Sequence, residues 1–161
     1  MFLLFAVGAA ASTERVISPL KEARSAPDFE LPDLQGEMHR LADYRGRYLM
    51  VNFWAVWCSP CRREMPSMQS LYQQLGGERF ELLAIHVGPS SDSARGYAQQ
   101  MGLTFPILVD EEMDLGSWQV PGLPSTFILD PLGRIIAKAV GERNWEDGKV
   151  LEQLEQLIAP R

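Results

Sequence analysis

A chain of 161 residues, 46% hydrophobic and 22% charged, has the composition of an ordinary soluble domain and length enough for one core without disulfide staples. A formal net charge of −6 and the lack of any basic run exclude the electrostatic footprint of a nucleic-acid binder, so nucleic acid is not an expected partner. Only two cysteines are present, three positions apart, so both belong to one motif, and a bridge between them closes too short a loop to stabilise the fold much.

The first eleven residues carry no charged side chain. They are too few for a membrane-spanning helix, which needs about 20 residues. They match the apolar part of a signal peptide, and Ala9, Ala10 and Ala11 supply a small-residue cleavage pattern, although no basic segment precedes them. The expectation is a signal or anchor remnant over residues 1–11 and an extracytoplasmic or periplasmic protein, with a membrane tether at the N-terminus one form of it. The alternative is a frayed apolar terminus on a cytoplasmic protein. Residues 12–26 mix charged and small residues without a period and read as a linker, which leaves residues 27–161 as the folded domain.

Asp28 to Leu31 and Glu37 to Leu41 are short alternating runs around a turn, which predicts a hairpin. Tyr48 to Trp54 is a nearly continuous apolar run, expected of a central strand covered on both faces. From Pro60 to Leu75, apolar Met65, Met68, Leu71, Tyr72 and Leu75 recur at helical spacing, and Pro66 should kink that helix. Phe80 to Val87 reads as a second buried strand and Ser91 to Met101 as a helix stopped at Gly102. Phe105 to Val109 suggests a short strand, Glu111 to Trp118 a short helix, and Asp110 to Glu112 a solvated acidic run. Ser125 to Leu129 and Arg134 to Val140 form a second hairpin around Asp130 to Gly133, and an amphipathic helix carrying Val150, Leu151, Leu154, Leu157 and Ile158 closes the chain. This alternation predicts an α/β sandwich with a mixed central sheet flanked by helices.

The chemistry sits at Trp57-Cys58-Ser59-Pro60-Cys61, where an apolar strand passes into a helix. A cysteine at a helix N-terminus meets unsatisfied N–H groups and the positive end of the helix dipole, both of which favour thiolate over thiol. Cys58 is therefore the candidate nucleophile, and Cys61, one turn further in, the candidate resolving thiol. Pro60 falls in the first helical turn, where its missing N–H is not needed. A zinc site would need two more ligands, but there is no second cysteine pair and His39 and His86 fit no ligand spacing, so no metal is expected. Haem attachment would need histidine where Arg62 stands. Two inert buried thiols are the remaining alternative. His86, on one strand face with Ala84 and Leu82, reads as packed rather than catalytic.

The stretch from Val51 to Pro66, VNFWAVWCSPCRREMP, resembles the active-site segment of the TlpA/ResA branch of thioredoxin-like oxidoreductases. The likeness extends from Pro27 to about Ile158 through the opening Ala-Pro-Asp-Phe, the segment Val120 to Leu129 and the Asp-x-x-Gly turn. It implies a thioredoxin-like sandwich with an N-terminal β-hairpin and a βα insertion, acting as a thiol–disulfide oxidoreductase without a cofactor. It further implies a cis Leu123–Pro124 bond beside the cysteines, where the preceding backbone pairs with an extended substrate segment; Trp54 and Trp57 flank the motif, one of them expected in the core and Trp57 read with Leu123 and Pro124 as substrate-binding. Read alone, Pro124 is a strand-entry proline. Glu64 lies three residues after Cys61 on the same helix, and the resemblance assigns it to proton transfer at the cysteines; read alone, it is a solvated surface charge. Cytoplasmic thioredoxins carry a buried aspartate where this chain has Asn52, which cannot titrate, so the proton-handling role moves to Glu64.

The expected partners are protein disulfides and, for an exported protein, a membrane-embedded thiol reductant of the DsbD type. Ser59-Pro60, with no histidine between the cysteines, resembles the reducing members of the fold. Cytochrome c maturation and general disulfide repair are both roles found among relatives. Two other functions are open: a thiol peroxidase, against which Ala55 stands where peroxiredoxins carry threonine, and a copper-binding module of the same fold, which lacks further methionine or histidine ligands at recognisable spacing.

Overall fold

The structure, a computed structural model, describes residues 16–113 and 116–159. Among the described residues, six strands form one sheet and two form a short hairpin, bridged to it between Asp33 and Leu108. Along the chain these are β1 (Ser18–Ser25), β2 (Glu30–Pro32), β3 (Met38–Arg40), β4 (Tyr48–Trp54), α1 (Ser59–Leu75), β5 (Phe80–Val87), α2 (Ser91–Met101), β6 (Ile107–Asp110), β7 (Ser125–Leu129), β8 (Arg134–Val140) and α3 (Gly148–Ile158). The sheet order is β1-β8-β7-β4-β5-β6; β4, β5 and β6 run parallel, whereas β7 is antiparallel to β4 and β8 to β7, so the sheet is mixed as the sequence predicts. Both crossovers step in one direction along the sheet, so the right-handed rule puts α1 and α2 on the same face. Two links tie these helices together: the Tyr97 hydroxyl donates to the Arg62 carbonyl at 2.9 Å, and the Gln69 amide exchanges hydrogen bonds with Thr104, just past α2.

The centre of the sheet is dry because its strands are apolar on both faces. Leu49, Met50, Val51, Phe53 and Trp54 of β4 and Leu82, Leu83, Ala84 and Ile85 of β5 are all buried. α1 presses Cys61, Met65, Met68 and Leu71 into this core. The helix runs on through Pro66, which has no N–H for the Arg62 carbonyl; the Tyr97 hydroxyl fills that place. Trp118 packs against Phe53 and Phe127, with ring centroids 5.3 and 5.5 Å away, and pins the segment after β6 to the core.

Three expectations are corrected. Within the segment read as a linker, Ser18–Ser25 forms edge strand β1, paired to β8 with an irregular register between Pro19 and Arg24. Backbone pairing at a sheet edge needs no apolar alternation, so a polar strand leaves no hydrophobic signal. The described residues of the span 111–118 do not form the expected helix: they are turns or irregular, and Met113 at φ 59° lies in the left-handed region, where a right-handed helix cannot continue. In the acidic run, Asp110 is the buried last residue of β6, and only Glu111 and Glu112 are exposed. The apolar stretch over residues 1–11 lies outside the described residues. Among the described residues, no helix is long and apolar enough to cross a membrane.

Candidate active site

β4 ends at Trp54, and a turn through Ala55, Val56 and Trp57 delivers Cys58 as the N-cap of α1. The Cys58 N–H closes the turn on the Ala55 carbonyl at 3.0 Å, and the Cys61 N–H donates to Cys58 Sγ at 3.3 Å. Cys58 thus sits in the place a capping side chain takes, its sulfur facing an unsatisfied helix N–H. No acidic residue stands in the first turn to oppose negative charge there. A disulfide joins Cys58 to Cys61 across a Cα–Cα distance of 5.3 Å. Cys58 retains 8% of its surface and Cys61 none, so only the first sulfur is open to attack from outside. The two tryptophans divide: Trp54 is wholly buried, while Trp57, next to Cys58, is 62% exposed.

Glu64 is not on the surface. It is 1% exposed and faces a ring of donors: Asn52 Nδ2 at 2.7 Å to Oε1, and the Arg143 N–H at 3.0 Å and Trp145 Nε1 at 3.3 Å to Oε2. Asn52 also donates to Thr126 Oγ1 at 3.0 Å, which orients its amide from β7. Burial pushes the Glu64 carboxyl up to about 7, and the bonds from Arg143, Asn52 and Trp145 hold it from rising further. The segment that brings Arg143 and Trp145 is stapled to α1 a second time: the Trp145 N–H donates to Ser67 Oγ, which donates to the Glu64 carbonyl. Asn52 Oδ1 is buried with no hydrogen-bond partner among the described residues. A charged acceptor gains more from each donor than a neutral one. Replacing Trp145 with Phe should therefore raise the Glu64 pKa further, destabilising its ionised form by about 1 kcal/mol; a carboxyl titration followed by infrared or NMR that leaves the midpoint in place would refute this.

The Leu123–Pro124 bond is cis. Pro124 is buried, Leu123 half-buried, and the Gly141 N–H donates to the Pro124 carbonyl. Since β7 runs antiparallel to β4 with Ser125 opposite Phe53, this bond lies at the end of the sheet from which the cysteine turn leaves. His86, wholly buried on β5, accepts the Val56 N–H on Nε2 at 3.1 Å. His39 is engaged elsewhere, between Asp33 and Tyr44.

Sequence reading placed Cys58, Cys61, Glu64 and Asn52 near one another along β4 and α1. Arg143, Trp145 and Thr126 escaped it, because they reach Glu64 and Asn52 from 74 to 81 residues away in sequence and carry no local pattern. The link from Arg143, and separately the bond from Val56 to His86, use main-chain N–H groups, to which side-chain identity gives no clue.

Residues 23–138 match the model of the AhpC/TSA family. A thiol-disulfide oxidoreductase ResA of Geobacillus kaustophilus is 44% identical over 124 residues, covering 76% of this chain and 71% of that protein. This chain belongs to the ResA thiol-disulfide oxidoreductases within the AhpC/TSA family. Solved structures agree on the fold: a thioredoxin-family thiol:disulfide interchange protein from Chlorobium tepidum superposes with a TM-score of 0.72 at 24% identity, over 83% of this chain and 96% of its own. A secreted thiol-disulfide isomerase from Corynebacterium glutamicum gives 0.77 at 23% identity, over 99% of both chains. The fold is thioredoxin-like, and the protein is a thiol–disulfide oxidoreductase with its Cys-x-x-Cys pair at bonding distance.

Proposed function

We propose that this ResA-type protein reduces protein disulfides outside the cytoplasm, with Cys58 attacking, Cys61 resolving and Glu64 handling the proton. The observation that carries the reading is the buried Glu64 carboxyl, pushed up to about 7 by burial and standing one helical turn after Cys61. The Cys58 thiolate attacks one sulfur of a substrate disulfide, whose S–S bond breaks as the other sulfur leaves as a thiolate. Cys61 gives its proton to Glu64 and attacks Cys58 Sγ, releasing the second substrate sulfur. Two electrons have then passed from the dithiol to the substrate, and Cys58–Cys61 is oxidised. Trp57, Leu123 and Pro124, at the same end of the sheet, are the residues against which the substrate segment lies.

A two-electron thiol donor must restore the dithiol, and outside the cytoplasm a membrane carrier of the DsbD type has the right chemistry. The uncharged run over residues 1–11 supports export or a membrane tether. The peroxidase reading lacks a hydroxyl at the critical place, since Ala55 is buried and contributes only its carbonyl to Cys58. Ser59-Pro60 supports a reducing couple. Equilibration with glutathione should give a potential nearer about −270 mV than about −120 mV, and a value above about −180 mV would overturn the assigned direction.

A further inference from the structure

The turn before Cys58 is held by a side chain outside the Cys-x-x-Cys motif. β4 and β5 pair in parallel as far as Trp54 opposite His86, and there the β4 strand ends. Two residues on, the Val56 N–H finds the imidazole Nε2 of His86 at 3.1 Å instead of a strand carbonyl. The ring therefore extends the sheet's hydrogen bonding into the turn from Ala55 to Trp57. Nε2 can accept only with its lone pair free, so the ring is neutral with its proton on Nδ1. Nδ1 is buried with no hydrogen-bond partner among the described residues, and burial lowers the His86 pKa, which keeps the accepting form in place. The ring stands edge-on to Trp54 with centroids 5.1 Å apart, and Trp54 packs against Tyr97, whose hydroxyl holds the Arg62 carbonyl left free by Pro66. Cys58 is thus braced on both sides, through Val56 before it and the first turns of α1 after it.

We propose that His86 is a positioning residue for Cys58: by accepting the Val56 N–H it fixes the Ala55-to-Trp57 turn, so that Cys58 Sγ stays on the N-terminus of α1 and remains an acidic, reactive thiol. This rests on the reading of Cys58 as nucleophile. Letting the turn relax withdraws the sulfur from the helix N–H groups that favour thiolate.

The test uses the reduced full chain with H86L, which removes the acceptor at similar bulk, and H86Q, whose Oε1 reaches the place of Nε2. Three quantities are read: amide exchange at Val56, the pH profile of Cys58 alkylation, and the rate of attack on a small aromatic disulfide. H86L should speed Val56 exchange, raise the Cys58 pKa and slow attack at pH 7 by about fivefold, the worth of one ordinary hydrogen bond. H86Q should stay within about twofold of wild type. Equal losses in both variants, or faster Val56 exchange in H86L with an unchanged Cys58 profile, would overturn the proposal. Should H86L not fold by near-ultraviolet circular dichroism, H86M is judged by the same criteria. Alkylation of wild type first at Cys61 would instead refute the nucleophile assignment, while Val56 exchange would still report whether His86 holds the turn.

Discussion

Replacing Cys61 with Ser is expected to stop turnover and leave the substrate attached to Cys58. The variant keeps the thiol at the N-cap of α1, where the N–H groups favour its thiolate, so the first displacement proceeds. The mixed disulfide then has no internal thiol to release it, and the adduct persists long enough for mass spectrometry to identify the client. Cys58→Ser removes the sulfur with access to solvent and leaves Cys61 fully buried, so it should lower disulfide reduction by about 10³-fold or more and trap nothing. An adduct on Cys61 in Cys58→Ser, or none on Cys58 in Cys61→Ser, would reverse the assigned roles. The same variants separate a reductant from a pair of inert thiols, since inert thiols trap nothing in either.

Replacing Glu64 with Gln is expected to slow resolution by about 10²-fold, the usual contribution of a positioned proton acceptor, while leaving the first attack within about twofold. The wild-type resolution rate should climb through pH 7 as the carboxylate forms, and the variant should lack that limb. Rapid-mixing measurements showing unchanged resolution from pH 5 to 9 would leave Glu64 without a role in proton transfer.

Stability supplies an independent reading of the same group. The Glu64 pKa is raised from 4.5 to about 7, so the folded state holds this proton more tightly than the unfolded chain does. The stabilisation is fully present below about pH 4.5 and is lost as pH rises through about 7. The loss amounts to as much as about 3 kcal/mol, the three donors that meet the ionised carboxylate already included. Denaturant midpoints of the oxidised protein should therefore fall between pH 5 and 8 in wild type, and this contribution to the slope should vanish in Glu64→Gln. Parallel slopes would show that Glu64 is already ionised across the window.

The buried glutamate also shows where sequence reading stopped. Its distance from Cys61 along α1 is fixed by helical periodicity, but a glutamate at such a place is ordinarily solvated. What buries it is the return of the chain after β8: the Arg143 N–H and the Trp145 indole close over Oε2, and Asn52 meets Oε1 from β4. Edge strand β1 escaped for a related reason, since main-chain pairing with β8 holds it and its residues are mostly exposed. Residues 111–118 misled because their composition suits a helix while Met113 takes a left-handed backbone.

By itself the sequence determined whatever is encoded in short-range pattern. The strand-to-helix step, the two cysteines one turn apart and the apolar runs of β4 and β5 all follow from side chains a few residues apart. Tertiary structure alone decided which groups surround those cysteines. It buried Glu64 and moved its proton affinity to neutral pH, and it set His86 under the turn that carries Cys58. A pKa and a held N–H depend on desolvation and on donors and acceptors from distant strands, and these exist only once the chain has closed upon itself.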